Sequence, residues 1–92
     1  MRKLIHPDGS EVEYPNPLSI TEIDKLLGDD GLDSFCLHDA EEHVVMVNDL
    51  SLLKRLPVNK VATEMYGKVC SGNNLTPIAG PVFVCPDSDF GD

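Results

Sequence analysis

The chain has no tryptophan, only 5% aromatic residues, and seven lysines and arginines against sixteen aspartates and glutamates. The shortage of base leaves a formal net charge of −9. It removes the positive footprint that binding to a phosphate backbone requires, so no direct nucleic-acid contact is expected. Long hydrophobic runs are missing too. The longest are Val44–Val47 and Val82–Cys85, far short of the roughly 20 residues that span a bilayer, and no membrane contact is expected. Met1-Arg2-Lys3 is followed by only two apolar residues before His6-Pro7-Asp8, without the apolar stretch of a cleaved leader. A cytoplasmic location is the expectation.

Cysteine is scarce and wrongly spaced for chemistry. Cys36, Cys70 and Cys85 are an odd number without a C-x-x-C pair, which reads as three reduced thiols rather than a disulfide framework. A zinc site from Cys36, His38 and Cys85 lacks the tight ligand clustering such sites show. His38, Asp39, Glu41, Glu42 and His43 form the densest ligand-capable cluster, but they fall on a solvated turn with nothing to close a coordination shell, so neither metal nor cofactor is expected. There is no G-x-S-x-G elbow and no phosphate-cradling glycine loop, and Cys36 and His38 diverge from an extended backbone; no catalytic residue is assigned.

What is present describes a small folded domain. The 92 residues are 41% hydrophobic, enough for one modest core. Arg2–His6 and Glu11–Tyr14 flank Pro7-Asp8-Gly9-Ser10, a hairpin signature. Ser19-Ile20-Thr21-Glu22 fits a capping box, and Ile20, Ile23, Leu26 and Leu27 continue at helical spacing to Gly28. Ser34–His38 and Val44–Asn48 read as a second hairpin. Pro57 opens a second helix whose Val58, Val61, Ala62 and Met65 form a docking stripe, ended by Tyr66-Gly67. Lys68–Cys70 starts a short strand, and Ile78–Cys85 is the last one. The order β-β-α-β-β-α-β predicts an α+β domain over residues 1–85, with a mostly antiparallel sheet and both helices on one face. The stripe is expected to pack on Val45, Val47, Val82 and Val84. Residues 86–92 read as a loose acidic tail.

Charge is uneven along the chain. Asp29, Asp30, Asp33, Asp39, Glu41, Glu42 and Asp49 fall in a stretch without lysine or arginine, whereas Lys54, Arg55, Lys60 and Lys68 follow with only Glu64 among them. An acidic stretch of this kind either keeps the protein soluble or attracts a basic protein surface. These seven acids, with Lys54, Arg55 and Asn59, are the candidate partner-binding residues. Asn59 has a second reading, in which its amide caps or tethers a neighbouring segment.

Four pieces in order carry a resemblance. They are Ile5-His6-Pro7-Asp8-Gly9, the helix Ile20–Gly28, Leu53-Lys54-Arg55-Leu56-Pro57-Val58-Asn59-Lys60 with Ala62, and Ile78-Ala79-Gly80-Pro81-Val82-Phe83-Val84 followed by acids and Phe90-Gly91. With its Leu-Pro-x-Asn-x-x-Ala and later Ile-x-Gly signature, the chain resembles a family of small phage- and plasmid-encoded proteins known only as a domain of unknown function. Positions 29–43 are more acidic than that family's pattern. The resemblance implies a mobile-element accessory protein acting in the bacterial cytoplasm on a host or defence protein, and supplies no catalytic residue. The alternative is a DNA mimic whose carboxylates occupy a DNA-binding groove.

Overall fold

A computed structural model describes residues 2–37, 39–40, 42–51, 53–69 and 77–90. Apolar residues that run without interruption along β4 (His43–Asn48) and β5 (Val82–Pro86) decide the architecture. In an extended strand alternate side chains point to opposite faces, so an unbroken apolar run needs cover on both. These two strands sit inside the sheet. β1 (Lys3–Ile5), β2 (Glu11–Glu13) and β3 (Leu32–Cys36) complete it in the order β2-β1-β5-β4-β3, every neighbour antiparallel.

α1 (Ile20–Leu26) covers one face. Ser19 caps it, its hydroxyl accepting from the Glu22 N–H at 3.1 Å. Ile23 and Leu27 then pack on Leu4, Val44, Met46, Phe83 and Cys85, with Tyr14 meeting the Phe83 ring edge-on at 5.5 Å. The opposite face, built from Ile5, Val45, Val82 and Val84, is covered by α2 (Lys60–Val69) through Ala62 with Val61 and Met65. The α+β class and the element order agree with the sequence reading. The placement of both helices on one face does not, because the alternation along β4 and β5 creates two apolar faces and each takes its own helix.

Three further expectations change. Val58 leaves the docking stripe: it is 48% exposed and bridges Ala79 outside the helix, which begins only at Lys60. Tyr66-Gly67 does not end α2, which continues to Val69 through the expected start of a strand at Lys68; Cys70 lies outside the described residues. The acidic tail is not loose over residues 86–90. Pro86 belongs to β5, Asp87–Asp89 form a 3-10 turn, and Phe90 packs against the α1-side core. Arg2 clasps Asp89 with two donors, Nε at 2.6 Å and Nη2 at 2.8 Å. A paired, forked contact of this kind holds a segment that a lone surface charge would not.

Candidate binding site at one end of the sheet

The acidic residues divide between the two ends of β3. Asp29, Asp30, Asp33 and Asp49 gather where α1 hands over to β3 and β4 runs out, since Leu32 lies opposite Asn48 and Asp49 donates its N–H to the Gly31 carbonyl. Asp39 and Glu42 lie at the turn between β3 and β4, and Glu41 lies outside the described residues. About 16 Å of strand, at ~3.3 Å per residue, separates the groups. That is twice the ~8 Å screening length at physiological salt, so the stretch does not act as one field.

Asn48 organises the first group. Its buried amide donates to the Leu27 carbonyl at 2.7 Å and to Asp30 Oδ2 at 3.0 Å, while its Oδ1 accepts from the Leu50 N–H at 2.7 Å. One side chain thus ties the end of α1, the following loop and the exit of β4. Gly28 leaves room for it: φ is 117°, and a Cβ there would stand 2.7 Å from Asn48 Nδ2. Asp30 also pairs with Lys54. Bonds from Lys54 first and Asn48 second hold its carboxyl below the usual aspartate range. The stretch is therefore not without a compensating base, because the next loop supplies one. Asp29, Asp33 and Asp49 stay exposed, and Asp33 Oδ1 accepts from the neighbouring Ser34 N–H at 2.9 Å.

At the other end, Asp39 folds back on its own turn. Its carboxylate accepts from the His43 N–H at 2.7 Å and lies 2.5 Å from Nδ1 of the same residue. The backbone bond, then the ring, lowers its pKa. This is local turn chemistry rather than an open ligand set. Glu42 is exposed at a φ of 51°, and His38 lies outside the described residues.

Beside the first acidic group is a cavity of about 490 Å³ between β3, the end of β4, α2 and residues 77–79. Asp33 and Asp49 stand at it, Phe35 and Tyr66 meet there edge-on at 5.1 Å, and Ser51 contributes to its lining. Ser51 is 4% exposed, and its Oγ has no hydrogen-bond partner among the described residues. Phe35, Tyr66 and Ser51 were not candidates from the sequence. Nothing local marks them, since a strand, a helix and a turn meet here only through the fold.

Of the remaining candidates, Arg55 is exposed at a φ of 56° and Lys54 is committed to Asp30. Asn59 cannot touch a partner: it is fully buried. Its Nδ2 donates to the Ile5 and Gly80 carbonyls, each at 3.0 Å, and its Oδ1 accepts from the Ala62 N–H at 3.1 Å, capping α2. The tethering reading of this residue is the one its surroundings fit.

Cys36 is exposed and Cys85 buried. Burial, reinforced by Asp89, pushes the Cys85 thiol up to about 11, so it holds its proton at neutral pH and is a poor nucleophile. Iodoacetamide at pH 8 is expected to label Cys36 in the folded protein and to reach Cys85 only after denaturation. Peptide mapping by mass spectrometry checks this, and equal labelling of the two would show that the strand carrying Cys85 is open. No protein-family model, no curated protein and no solved structure matches the chain. Among the described residues no helix is long and apolar enough to cross a membrane.

Proposed function

We propose that the chain is a non-enzymatic accessory protein of the phage or plasmid kind, which binds a host or defence protein in the bacterial cytoplasm by receiving its basic surface. The observation that carries this reading is the placement of Asp33 and Asp49 at the cavity at one end of the sheet, with Asp29 in the loop that precedes β3, all three exposed and without a basic partner among the described residues. Fixed carboxylates around a recess speed encounter with a positive patch and orient it on arrival. The resemblance to mobile-element proteins points to the same class of role. DNA mimicry is the weaker reading. It calls for rows of carboxylates at phosphate spacing across the surface, and here β3 separates two small groups.

Capture of partners from host lysate tests the reading when wild type is compared with an Asp29→Asn, Asp33→Asn, Asp49→Asn variant. All three side chains are exposed, so the variant is expected to keep its melting temperature within a few degrees. Association is expected to slow at least tenfold, and wild-type binding to weaken between 0.05 and 0.5 M salt as the screening length shortens. A partner held equally by both proteins at both salt concentrations would make the acidic end a solubilising surface and no more.

A further inference from the structure

Among the described residues β3 is an edge strand, paired with β4 on one side. The Leu37 N–H donates to the His43 carbonyl and the Asp49 N–H to the Gly31 carbonyl. Residues 31, 33, 35 and 37 therefore address β4, and by antiparallel alternation the backbone groups of Leu32, Ser34 and Cys36 point away from the sheet. The Ser34 N–H is held by Asp33 Oδ1. The Leu32 and Cys36 N–H groups and all three carbonyls face outward. Such an edge is a template for another strand unless something blunts it, and β3 carries neither proline nor lysine.

The cavity lies along this edge, on the face of β3 that holds Asp33 and Phe35. Among the described residues its lining contains two carboxylates, two aromatic rings and the Ser51 hydroxyl without a hydrogen-bond partner, and no lysine or arginine. Asp33 lies opposite Val47, two residues before Asp49, which makes the two acids diagonal neighbours about 7–8 Å apart by sheet geometry. A guanidinium spans that gap better than an ammonium does, because its planar fork donates in two directions while its face stacks on an aromatic ring.

We propose that β3 accepts an extended segment of a partner protein as a sixth strand, and that an arginine on that segment enters the cavity between Asp33 and Asp49 against the Phe35–Tyr66 pair. The inference rests on the reading of a basic partner given above and names its recognition element. The incoming backbone takes the outward groups of Leu32, Ser34 and Cys36. A partner carbonyl replaces Asp33 at the Ser34 N–H, which frees that carboxylate for the guanidinium. Main-chain pairing supplies the register, and the cavity selects the side chain.

The test titrates isotope-labelled protein with a blocked Val-Thr-Arg-Thr-Val peptide and follows amide and ring signals by NMR. Saturable shifts are expected at Leu32, Ser34 and Cys36 and at the Tyr66 ring. Replacing the arginine with uncharged citrulline, or using the Asp33→Asn, Asp49→Asn protein, is expected to weaken binding roughly tenfold. An N-methylated backbone is expected to abolish the edge shifts. No binding at millimolar peptide, shifts confined to the turn at residues 39–42, or equal binding of arginine and citrulline peptides would overturn the proposal. Ser34→Pro separates it from the broader reading. Proline is tolerated at an outward-facing edge position and blocks pairing there. If salt-sensitive partner capture survives this change, strand addition is wrong and the acidic-surface reading stands; if capture is insensitive to salt, that reading fails on its own.

Discussion

Replacing Asn59 by aspartate is expected to unfold the protein at neutral pH, and to do so more completely than replacement by alanine. Ordinary capping preference predicts the reverse, because aspartate caps a helix as well as asparagine does and alanine poorly. The difference lies in the other half of the side chain. Nδ2 donates to the Ile5 and Gly80 carbonyls from a position with no solvent exposure. Alanine leaves those two carbonyls and the Ala62 N–H without their partner, at ~1–3 kcal/mol for each buried unsatisfied group, a serious loss against the 5–15 kcal/mol typical of a domain. Aspartate keeps the cap but turns a charged oxygen towards two carbonyl oxygens. Burial would raise the pKa of that carboxyl in the folded state. For a raised folded pKa, the stabilising contribution of the protonated form is complete below the unfolded value near ~3.9 and disappears as pH rises through the folded one. Relative to wild type, the Asn59→Asp variant should therefore recover stability as pH falls towards ~4. Melting curves from pH 7 to 4 check this. An aspartate variant as stable as wild type at pH 7 would mean that Asn59 does not bridge β1, α2 and the residue-80 turn.

Phe83→Ala is expected to cost about 3–5 kcal/mol. Phe83 is fully buried and central: its strand lies between β1 and β4, it stands opposite Leu4 on one side and Met46 on the other, and Tyr14 closes on its ring. The other buried side chains of the α1-side core, Leu4, Ile23, Leu27, Val44, Met46 and Cys85, are all smaller, so they fill the space only in part. For a domain of this length the loss corresponds to a fall in melting temperature of at least ~12 °C. Phe83→Leu should fall much less, because it keeps most of the volume. Calorimetry on the two variants decides the point, and a small, equal shift in both would show that α1 is not firmly seated on the sheet.

Both residues show where the sequence was legible and where it was not. The strands, the first helix and the α+β class follow from local signals: a Pro-Asp-Gly-Ser turn, a Ser19 cap and apolar periodicity. The two-sided cover of the sheet was also written there, in the unbroken run of β4, but a docking stripe on each helix does not say which face it seeks. Val58 misleads for a related reason. It keeps helical spacing with Val61 and Ala62, yet the Asn59 N–H donates to the Ile78 carbonyl and the Gly80 N–H to the Pro57 carbonyl. That pairing holds residue 58 extended and delays the helix. The fold is also what exposes the cavity. Asp33 and Asp49 were visible as acids, but Phe35 and Tyr66 lie far apart in sequence and meet only because α2 crosses the sheet beside β3.

β5 is the fifth strand in the sequence and the middle strand of the sheet, with β1 on one side and β4 on the other. Until it is in place, the two hairpins share no strand pairing among the described residues. Each contributes only local contacts, while the register of Leu4 on Phe83 closes a loop across most of the chain. Closure of this sheet thus awaits β5, and two incomplete cores persist until it pairs. Non-local closure of this kind is slow, and unpaired strand edges are sticky while it lasts. The net charge of −9 sets mutual repulsion between unfinished chains against that stickiness.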